Sequence, residues 1–336
     1  MKKKILVLAT SFLDELLSHP KDEGRAKQML ADLEKKFSNE IEIEYRCDRN
    51  PEEPLTVDEL KNVIAVIADL EIYNREILSK VGKKAGGSLE LIARYGIGYV
   101  SVDLEAATEF GVMVTNAPGC NALPTAEWTQ ATIMDVAGRR ISHYATASKG
   151  KTKIGPSRLD VSNKKLGVIG TGTIGKNVVQ LMKGYNVKVL AYDIYHDVEW
   201  AKANSVTYVA LESLYKASDI ITIHAATSEQ IIGQKEIDLM NKTTILVNCA
   251  RGILVDNRAV YRAVKEGKLW GYGLDEIWLD KDLPLDENLN IIVSPHVGSD
   301  TDSGKIGMQI MSTEAVVDFI NGKNPRYIVN KEVLKN

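Results

Sequence analysis

Residues 167–175 read GVIGTGTIG, and the largely apolar segment 165–169 runs directly into this G-x-G-x-x-G pattern. In a strand–turn–helix unit the first glycine allows a tight turn, the second lets the backbone approach a pyrophosphate, and the third lets the helix pack against the strand. The positive N-terminus of the helix then faces the phosphates. We therefore expect a dinucleotide cradle with contacts at Gly170, Gly172, Thr173, Ile174 and Gly175.

A second apolar segment, residues 187–192, ends at Asp193, about 20 residues beyond the cradle. A carboxylate at this place would bind the ribose hydroxyls of the adenosine and repel the 2′-phosphate of NADP. Ile194 and Tyr195 follow and supply no compensating cation. The sequence thus predicts NAD as the cofactor, against the alternative that the glycines form an ordinary turn of an α/β protein.

Length and composition restrict the class of protein. The 336 residues are enough for two domains, each with its own core. A formal net charge of −3 favours neither nucleic acid nor an anionic membrane as a partner, and the apolar runs are too short to span a bilayer. The three cysteines are widely spaced and form no C-x-x-C pair, so we expect no disulfide framework, no metal site and a cytoplasmic protein.

Strand and helix patterns alternate along the chain, which favours parallel sheets built from β-α-β units. We expect an α/β fold of two doubly wound parallel-sheet domains. A Rossmann-type nucleotide domain, residues 104–297, is inserted into a flavodoxin-like substrate domain, residues 1–103 and 298–336, to which a last helix near residues 303–321 returns. A further helix is expected near residues 57–62. The predicted strands cover residues 5–9, 41–45, 63–68, 89–93, 112–115, 165–169, 187–192, 220–224, 244–248, 271–275 and 291–294.

Polar residues follow three predicted strands of the nucleotide domain: Arg251, Asp275 and His296. Parallel strands bring their carboxyl ends to one edge of a sheet, so these side chains should converge. An arginine fork suits a carboxylate with an adjacent carbonyl, and a histidine can protonate a developing alkoxide. Taken singly, Arg251 fits a surface ion pair equally well and His296 fits a structural loop residue. Beside a dinucleotide they indicate hydride transfer to a 2-keto acid.

The chain resembles the D-2-hydroxyacid dehydrogenase family, which includes D-3-phosphoglycerate dehydrogenase and the glyoxylate and hydroxypyruvate reductases. The resemblance covers nearly the whole sequence and is carried by GVIGTGTIG and by ARYGIGYVSVDLEAATEFGVMVTNAPG (93–119), LVNCARGILVD (246–256), GYGLDEIWLD (271–280) and SPHVGSDT (294–301). It implies an NAD-dependent enzyme that interconverts a small 2-keto acid and its D-2-hydroxy acid. It also implies a homodimer joined through the nucleotide domains.

The resemblance assigns roles to individual residues. Arg251 would bind the substrate carboxylate and carbonyl, His296 would act as acid and base, and Asp280 stands where the family places the glutamate that pairs with this histidine. If Asp280 is not the partner, Asp282 and Glu276 are the next candidates. The backbone of the loop formed by Ile97, Gly98 and Tyr99 would contact the substrate carboxylate. The further cofactor contacts that it implies are Thr125, Ala250, Gly298 and Asp275, the last of which would hold the nicotinamide carboxamide.

Departures from the family pattern leave other functions open. Asp280 is shorter than the usual glutamate, and Ala225 and Ala226 stand in a segment near the nicotinamide that often carries a proline. Asp69 occupies a position where many members have an Arg-Ser pair, and an acid there disfavours a phosphorylated substrate. The alternatives are an NAD(H)-sensing binding protein of the corepressor kind and a dehydrogenase that acts on formate or phosphite.

Overall fold

A computed structural model describes residues 2–50, 53–152, 157–278 and 280–335. The chain divides into two compact units: unit 1 comprises Met1–Asn121 and Asp300–Asn336, and unit 2 comprises Ala122–Ser299. The second crossing lies next to Gly298, where the sequence places it. The first crossing does not lie near Asp103 as expected, but between Asn121 and Ala122.

Unit 1 is built on a parallel sheet of five strands: β1 (Lys3–Val7), β2 (Ile41–Tyr45), β3 (Val63–Ala68), β4 (Leu91–Arg94) and β5 (Met113–Thr115). Their order is β2-β1-β3-β4-β5, the flavodoxin-like order of a doubly wound sheet. The central strand β3 reads VIAVIA and is buried at every position, as a parallel strand covered on both faces requires. Its helices are α1 (Arg25–Lys36), α2 (Arg75–Val81), α3 (Leu104–Glu109) and α11 (Asp302–Ile320).

Strand pairing explains the shifted domain boundary. β5 pairs with β4 through Leu91 and Met113, so the chain must complete this sheet before it can leave unit 1. The helix expected near residues 57–62 is also wrong, because these residues form turns.

Unit 2 contains a parallel sheet of seven strands: β6 (Lys165–Ile169), β7 (Lys188–Tyr192), β8 (Val206–Tyr208), β9 (Ile220–Ile223), β10 (Ile245–Asn248), β11 (Gly271–Leu274) and β12 (Ile291–Val293). Their order is β12-β11-β10-β9-β6-β7-β8, which is the dinucleotide-binding order extended by one strand. The helices are α4 (Ala122–Gly138), α5 (Arg140–Ser148), α6 (Thr173–Met182), α7 (Val198–Asn204), α8 (Leu211–Ala217), α9 (Gln234–Ile237) and α10 (Asn257–Lys265). The expected α/β fold class is confirmed in both units.

The topology of unit 2 indicates at which edge of the sheet a ligand would bind. The strand order reverses between β6 and β9, and in open parallel sheets ligands bind beyond the carboxyl ends of the strands at such a point. The glycine cradle follows β6, and the segments that follow β10, β11 and β12 begin at the same edge of the sheet. In the described part of the chain, no helix has the length and apolar character needed to cross a membrane.

Candidate active site

The glycines of the cradle have different steric environments. Gly170 has a φ of +93°, and a Cβ atom there would lie 2.7 Å from the backbone nitrogen of Ala225. A Cβ atom at Gly175 would lie 2.1 Å from the carbonyl oxygen of Gly170, which shows how closely α6 approaches the turn. At Gly172 a Cβ atom would meet nothing within 4 Å in the described structure. The first and third glycines are therefore required by packing, whereas the second leaves room for a ligand.

The start of α6 is suited to an anion. The helix begins at Thr173, and among the described residues no side chain caps its N-terminus at Gly172. The backbone N–H groups of its first turn are thus available to phosphate oxygens, together with the positive end of the helix dipole. These features fit the pyrophosphate of NAD.

Asp193 lies directly after β7 and is held by the cradle itself. Its Oδ2 accepts hydrogen bonds from the backbone nitrogen of Thr171 at 2.6 Å and from Thr171 Oγ1 at 3.0 Å, and its Oδ1 accepts one from the backbone nitrogen of Tyr195 at 3.0 Å. Partial burial opposes ionisation, but these hydrogen bonds outweigh it and hold the pKa of Asp193 below its usual range. Tyr208 Oη lies 2.9 Å from Thr171 Oγ1 and extends the network to β8. The result is an ionised, oriented carboxylate beside the glycine cradle, and its expected contact with the ribose of NAD stays a prediction.

Asp275 shapes the turn that carries His296. It is 5% exposed, and its Oδ1 accepts hydrogen bonds from Ser294 Oγ at 2.6 Å and from the backbone nitrogen of Val297 at 2.9 Å. Its Oδ2 accepts a third from the backbone nitrogen of Gly298 at 2.8 Å, where a Cβ atom would lie only 2.7 Å from the same oxygen. The structure therefore gives the Asp275 carboxylate a role in fixing this turn. Its expected contact with the nicotinamide carboxamide stays a prediction.

The acid beside His296 is Glu276, and not Asp280 as the sequence suggested. Glu276 Oε2 lies 3.6 Å from His296 Nδ1, and the neighbouring imidazole lowers the pKa of Glu276 against the opposing effect of partial burial. Asp280 Oδ2 instead lies 2.8 Å from Arg258 Nη2, a cation on α10. The physical reason is that the Arg258 side chain offers Asp280 a charged partner of its own.

Arg251 follows β10 and is exposed at the same edge. Asn248 forms the turn around it, because Asn248 Nδ2 donates to the carbonyl oxygen of Arg251 at 2.8 Å and Asn248 Oδ1 accepts from the backbone nitrogen of Ala250 at 3.0 Å. A Cβ atom at Gly252 would lie 3.2 Å from Glu276 Cγ, so the Arg251 loop and Glu276 are neighbours. The structure thus brings Arg251, Glu276 and His296 together in unit 2.

The remaining predicted positions are more scattered. Thr125 is buried in the first turns of α4, and Ala250 is half-buried after β10. The loop of Ile97, Gly98 and Tyr99 follows β4 at the carboxyl edge of unit 1 and is partly exposed. None of these positions has a feature in the described structure that identifies a ligand contact by itself.

Sequence reasoning named Glu276 only as an alternative partner of His296, and it did not single out the other residues that organise the site. The position of Glu276 directly after a strand was the available signal. Asn248 ends β10 and could have been recognised as a turn-forming residue at a ligand edge. Nothing in the sequence pointed to Thr171 or Tyr208, because the contacts of Thr171 with Asp193 and with Tyr208 join residues that are distant in the sequence.

Comparisons with known proteins agree with this geometry. The profile of the D-isomer specific 2-hydroxyacid dehydrogenase NAD binding domain matches residues 131–298. A glyoxylate reductase of Korarchaeum cryptofilum is 31% identical over 319 residues, which cover 91% of this chain and 93% of the relative. A D-3-phosphoglycerate dehydrogenase of Methanocaldococcus jannaschii is 35% identical over 86% of this chain but only 55% of its own length.

Solved structures extend the likeness to the whole fold. The D-lactate dehydrogenase of Aquifex aeolicus, complexed with NAD and lactic acid, superposes with a TM-score of 0.75 at 25% identity and covers 99% of this chain and 98% of its own. The resemblance expected from the motifs is confirmed, and with it the cofactor NAD. The chain therefore belongs to the D-isomer specific 2-hydroxyacid dehydrogenase family and is an NAD-dependent oxidoreductase.

Proposed function

We propose that the protein reduces a small, unphosphorylated 2-keto acid to its D-2-hydroxy acid with NADH. The observation that carries the proposal is the grouping of Arg251, Glu276 and His296 at the ligand edge of the unit that holds the dinucleotide cradle. A guanidinium, a carboxylate and an imidazole supply the charges that reduction of a 2-keto acid requires.

Each side chain has a distinct task in this reaction. The Arg251 guanidinium is a planar donor fork that binds the substrate carboxylate and polarises the adjacent carbonyl. His296 donates the proton to the alkoxide oxygen, and Glu276 favours the charged form of the imidazole and orients it. NADH supplies the hydride. The fixed turn at residues 294–298 keeps the proton donor in place, which reduces the reorganisation needed during the reaction.

The choice of a small substrate rests on unit 1 and on the relatives. Asp69 follows β3, where its Oδ2 accepts hydrogen bonds from the backbone nitrogen and Oγ1 of Thr10. A carboxylate kept in this position repels a phosphate. Several of the similar curated proteins are named glyoxylate reductases, so glyoxylate is the first substrate to test.

A screen of 2-keto acids with NADH tests the proposal, with loss of nicotinamide absorbance as the readout. Glyoxylate, pyruvate, hydroxypyruvate and phosphohydroxypyruvate form a series in size and charge. We expect turnover of the small members and little turnover of the phosphorylated one. His296→Gln serves as the control variant and should abolish most turnover while NADH binding remains. Absence of turnover with every keto acid would reject the proposal.

We also propose that the protein is a cytoplasmic homodimer joined through unit 2. Ile141 and Tyr144 on α5 are exposed apolar or aromatic side chains, and burial against a second copy would remove them from water. The three cysteines are free thiols, which suits a reducing compartment. Light scattering coupled to size-exclusion chromatography should give twice the chain mass of 37.1 kDa, and Tyr144→Lys should shift the protein towards the monomer.

A further inference from the structure

We propose that Tyr208 is a positioning residue that strengthens the preference of the protein for NAD over NADP, because it holds the Asp193 carboxylate in one orientation. The hydroxyl group of Thr171 transmits the effect from Tyr208 to Asp193. The inference rests on the expected contact of Asp193 with the ribose of the cofactor. It is carried by a chain of hydrogen bonds that joins the ends of three neighbouring strands.

Three adjacent strands of unit 2 end at this place. β6 pairs with β7, and β7 pairs with β8 up to Ala191 and Tyr208. Thr171 and Asp193 follow the first two of these strands, and Tyr208 is the last residue of the third. Parallel strands bring their carboxyl ends to one edge of a sheet, so the three side chains meet although they are distant in the sequence. The edge strand β8 thus delivers a tyrosine hydroxyl to the glycine cradle.

The number of available protons fixes the direction of each hydrogen bond. Ionised Asp193 can only accept, so Thr171 Oγ1 donates its single proton to Asp193 Oδ2 at 3.0 Å. Thr171 Oγ1 must then accept in its 2.9 Å contact with Tyr208 Oη, which makes the tyrosine hydroxyl the donor. Tyr208 Oη in turn accepts from the backbone nitrogen of Asp197 at 3.3 Å. The chain runs in one direction towards the carboxylate, and its members polarise one another.

The segment that follows β7 also fixes the ring of Tyr208. His196 stacks on this ring with centroids 4.3 Å apart and an angle of 9° between the planes. Because the next residue, Asp197, donates to Tyr208 Oη, the segment holds both the face of the ring and its hydroxyl group. The Tyr208 proton is therefore directed at Thr171, and little freedom of rotation is left to lose when a cofactor binds.

The orientation of Asp193 matters more for one cofactor than for the other. A fixed carboxylate accepts hydrogen bonds from the ribose hydroxyls of NADH, whereas it repels the 2′-phosphate of NADPH. NADPH lacks the 2′-hydroxyl and so has no such hydrogen bond to lose when the carboxylate becomes free to rotate. Removal of the Tyr208 hydroxyl should therefore weaken the binding of NADH and change that of NADPH little.

A purely structural role of the Tyr208 hydroxyl is the competing explanation, and unit 2 offers a control. Tyr215 lies on α8, and its Oη donates to the carbonyl oxygen of Ile231 at 2.9 Å. Tyr208→Phe and Tyr215→Phe each remove one hydroxyl group that donates one hydrogen bond. Both changes should lower the melting temperature, and only the first should change the ratio of the dissociation constants of NADPH and NADH.

The experiment measures the dissociation constants of NADH and NADPH by titration of nicotinamide fluorescence, with no keto acid present. In Tyr208→Phe we expect the constant of NADH to rise about fivefold and that of NADPH to change by less than about twofold. Thr171→Val keeps the shape of the side chain and removes the connecting hydroxyl, so it should have the same effect. In the Asp193→Ala background, Tyr208→Phe should change the constant of NADH by less than about twofold, because the residue through which Tyr208 acts is absent.

Three results would overturn the inference. The first is an unchanged ratio of the two dissociation constants in both Tyr208→Phe and Thr171→Val, and the second is an equal loss of NADH affinity in Tyr215→Phe. The third is an equal effect of Tyr208→Phe with and without the Asp193 carboxylate. If Asp193→Ala by itself leaves the ratio unchanged, the ribose contact is refuted together with the inference. All of these measurements are made without turnover, so a failure of the proposed keto-acid reduction is distinguishable from a failure here.

Discussion

Replacement of Glu276 by glutamine tests which acid supports the proton donor. Glu276 Oε2 and His296 Nδ1 are 3.6 Å apart, and the two side chains are 33% and 46% exposed. Glutamine keeps the shape of the side chain and removes its charge, so the protonated imidazole loses a stabilising neighbour. Because protonated His296 donates the proton in keto-acid reduction, kcat/KM should then fall.

The size of the expected loss in kcat/KM follows from the distance between the two side chains and from their exposure. A Coulomb attraction between unit charges at this distance is about 5 kcal/mol at an effective dielectric constant of about 20. Solvent and salt reduce the net interaction of partly exposed pairs to about 1 kcal/mol. Loss of about 1 kcal/mol of stabilisation in the transition state lowers kcat/KM by about fivefold.

The assay is the pH dependence of kcat/KM for keto-acid reduction in the wild type, Glu276→Gln and Asp280→Asn. Asp280 is paired with Arg258, so Asp280→Asn should leave kcat/KM unchanged within about twofold. The pKa of Glu276 is lowered in the folded protein, so the carboxylate keeps its charge through the usual range of a glutamic acid and loses it only as the pH falls through the lowered pKa. The difference between the wild type and Glu276→Gln should therefore persist at neutral pH and disappear only at low pH. A kcat/KM that falls in Asp280→Asn and is unchanged in Glu276→Gln would refute the pairing and restore Asp280 as the partner.

The remaining predictions concern substrate, cofactor and cradle. Arg251→Lys should raise the keto-acid KM and lower kcat in steady-state kinetics, with NADH affinity nearly intact, because an ammonium cannot offer two parallel donors; unchanged kcat/KM would place the carboxylate elsewhere. The wild type should prefer NADH to NADPH, and Asp193→Ala should narrow the ratio of the two kcat/KM values because it removes the repelling charge; a ratio that stays the same would contradict this role. Gly175→Ala should lower the melting temperature by about 5 °C or more, because its Cβ atom would overlap a carbonyl oxygen. Gly172→Ala should instead keep the melting temperature and weaken NADH binding in a titration, and Gly184→Ala, whose Cβ atom would also meet nothing within 4 Å, should change neither.

The order of elements was predictable because its signals are local. The glycine cradle after β6 and the acid after β7 specify a dinucleotide-binding unit, and the alternation of strands and helices specifies parallel sheets. The turns at residues 57–62 were missed because a tertiary contact overrides local propensity there. Glu59 accepts hydrogen bonds from the backbone nitrogen and Oγ1 of Thr56 and from Arg49 Nε, and these contacts fit a turn. The domain boundary was missed because the pairing of the three-residue strand β5 with β4 is not encoded locally.

The candidate site shows the same limit of sequence-based prediction at the level of single side chains. Sequence reasoning placed Arg251 and His296 beyond the carboxyl ends of strands, and the structure brings both to one edge of unit 2. The partner of His296 could not be chosen among Asp280, Asp282 and Glu276 from the sequence, because the direction of a side chain beyond a strand depends on the turn that follows. The sequence shows how far Asp280 and Glu276 lie beyond the strand, but it does not show that Asp280 forms an ion pair with Arg258 on α10.

The adjacent acids after β11 divide two tasks that a single carboxylate could not perform. The two acids lie in the bend that follows β11, where Asp275 is buried while Glu276 is partly exposed. His296 has a φ of +60°, a conformation that costs a residue with a side chain about 1–3 kcal/mol unless the surroundings impose it. The hydrogen bonds of Asp275 to Ser294, Val297 and Gly298 supply that constraint. Because Asp275 fixes the backbone, Glu276 is free to act on the imidazole, and the charge of the proton donor can be tuned without loosening the turn that carries it.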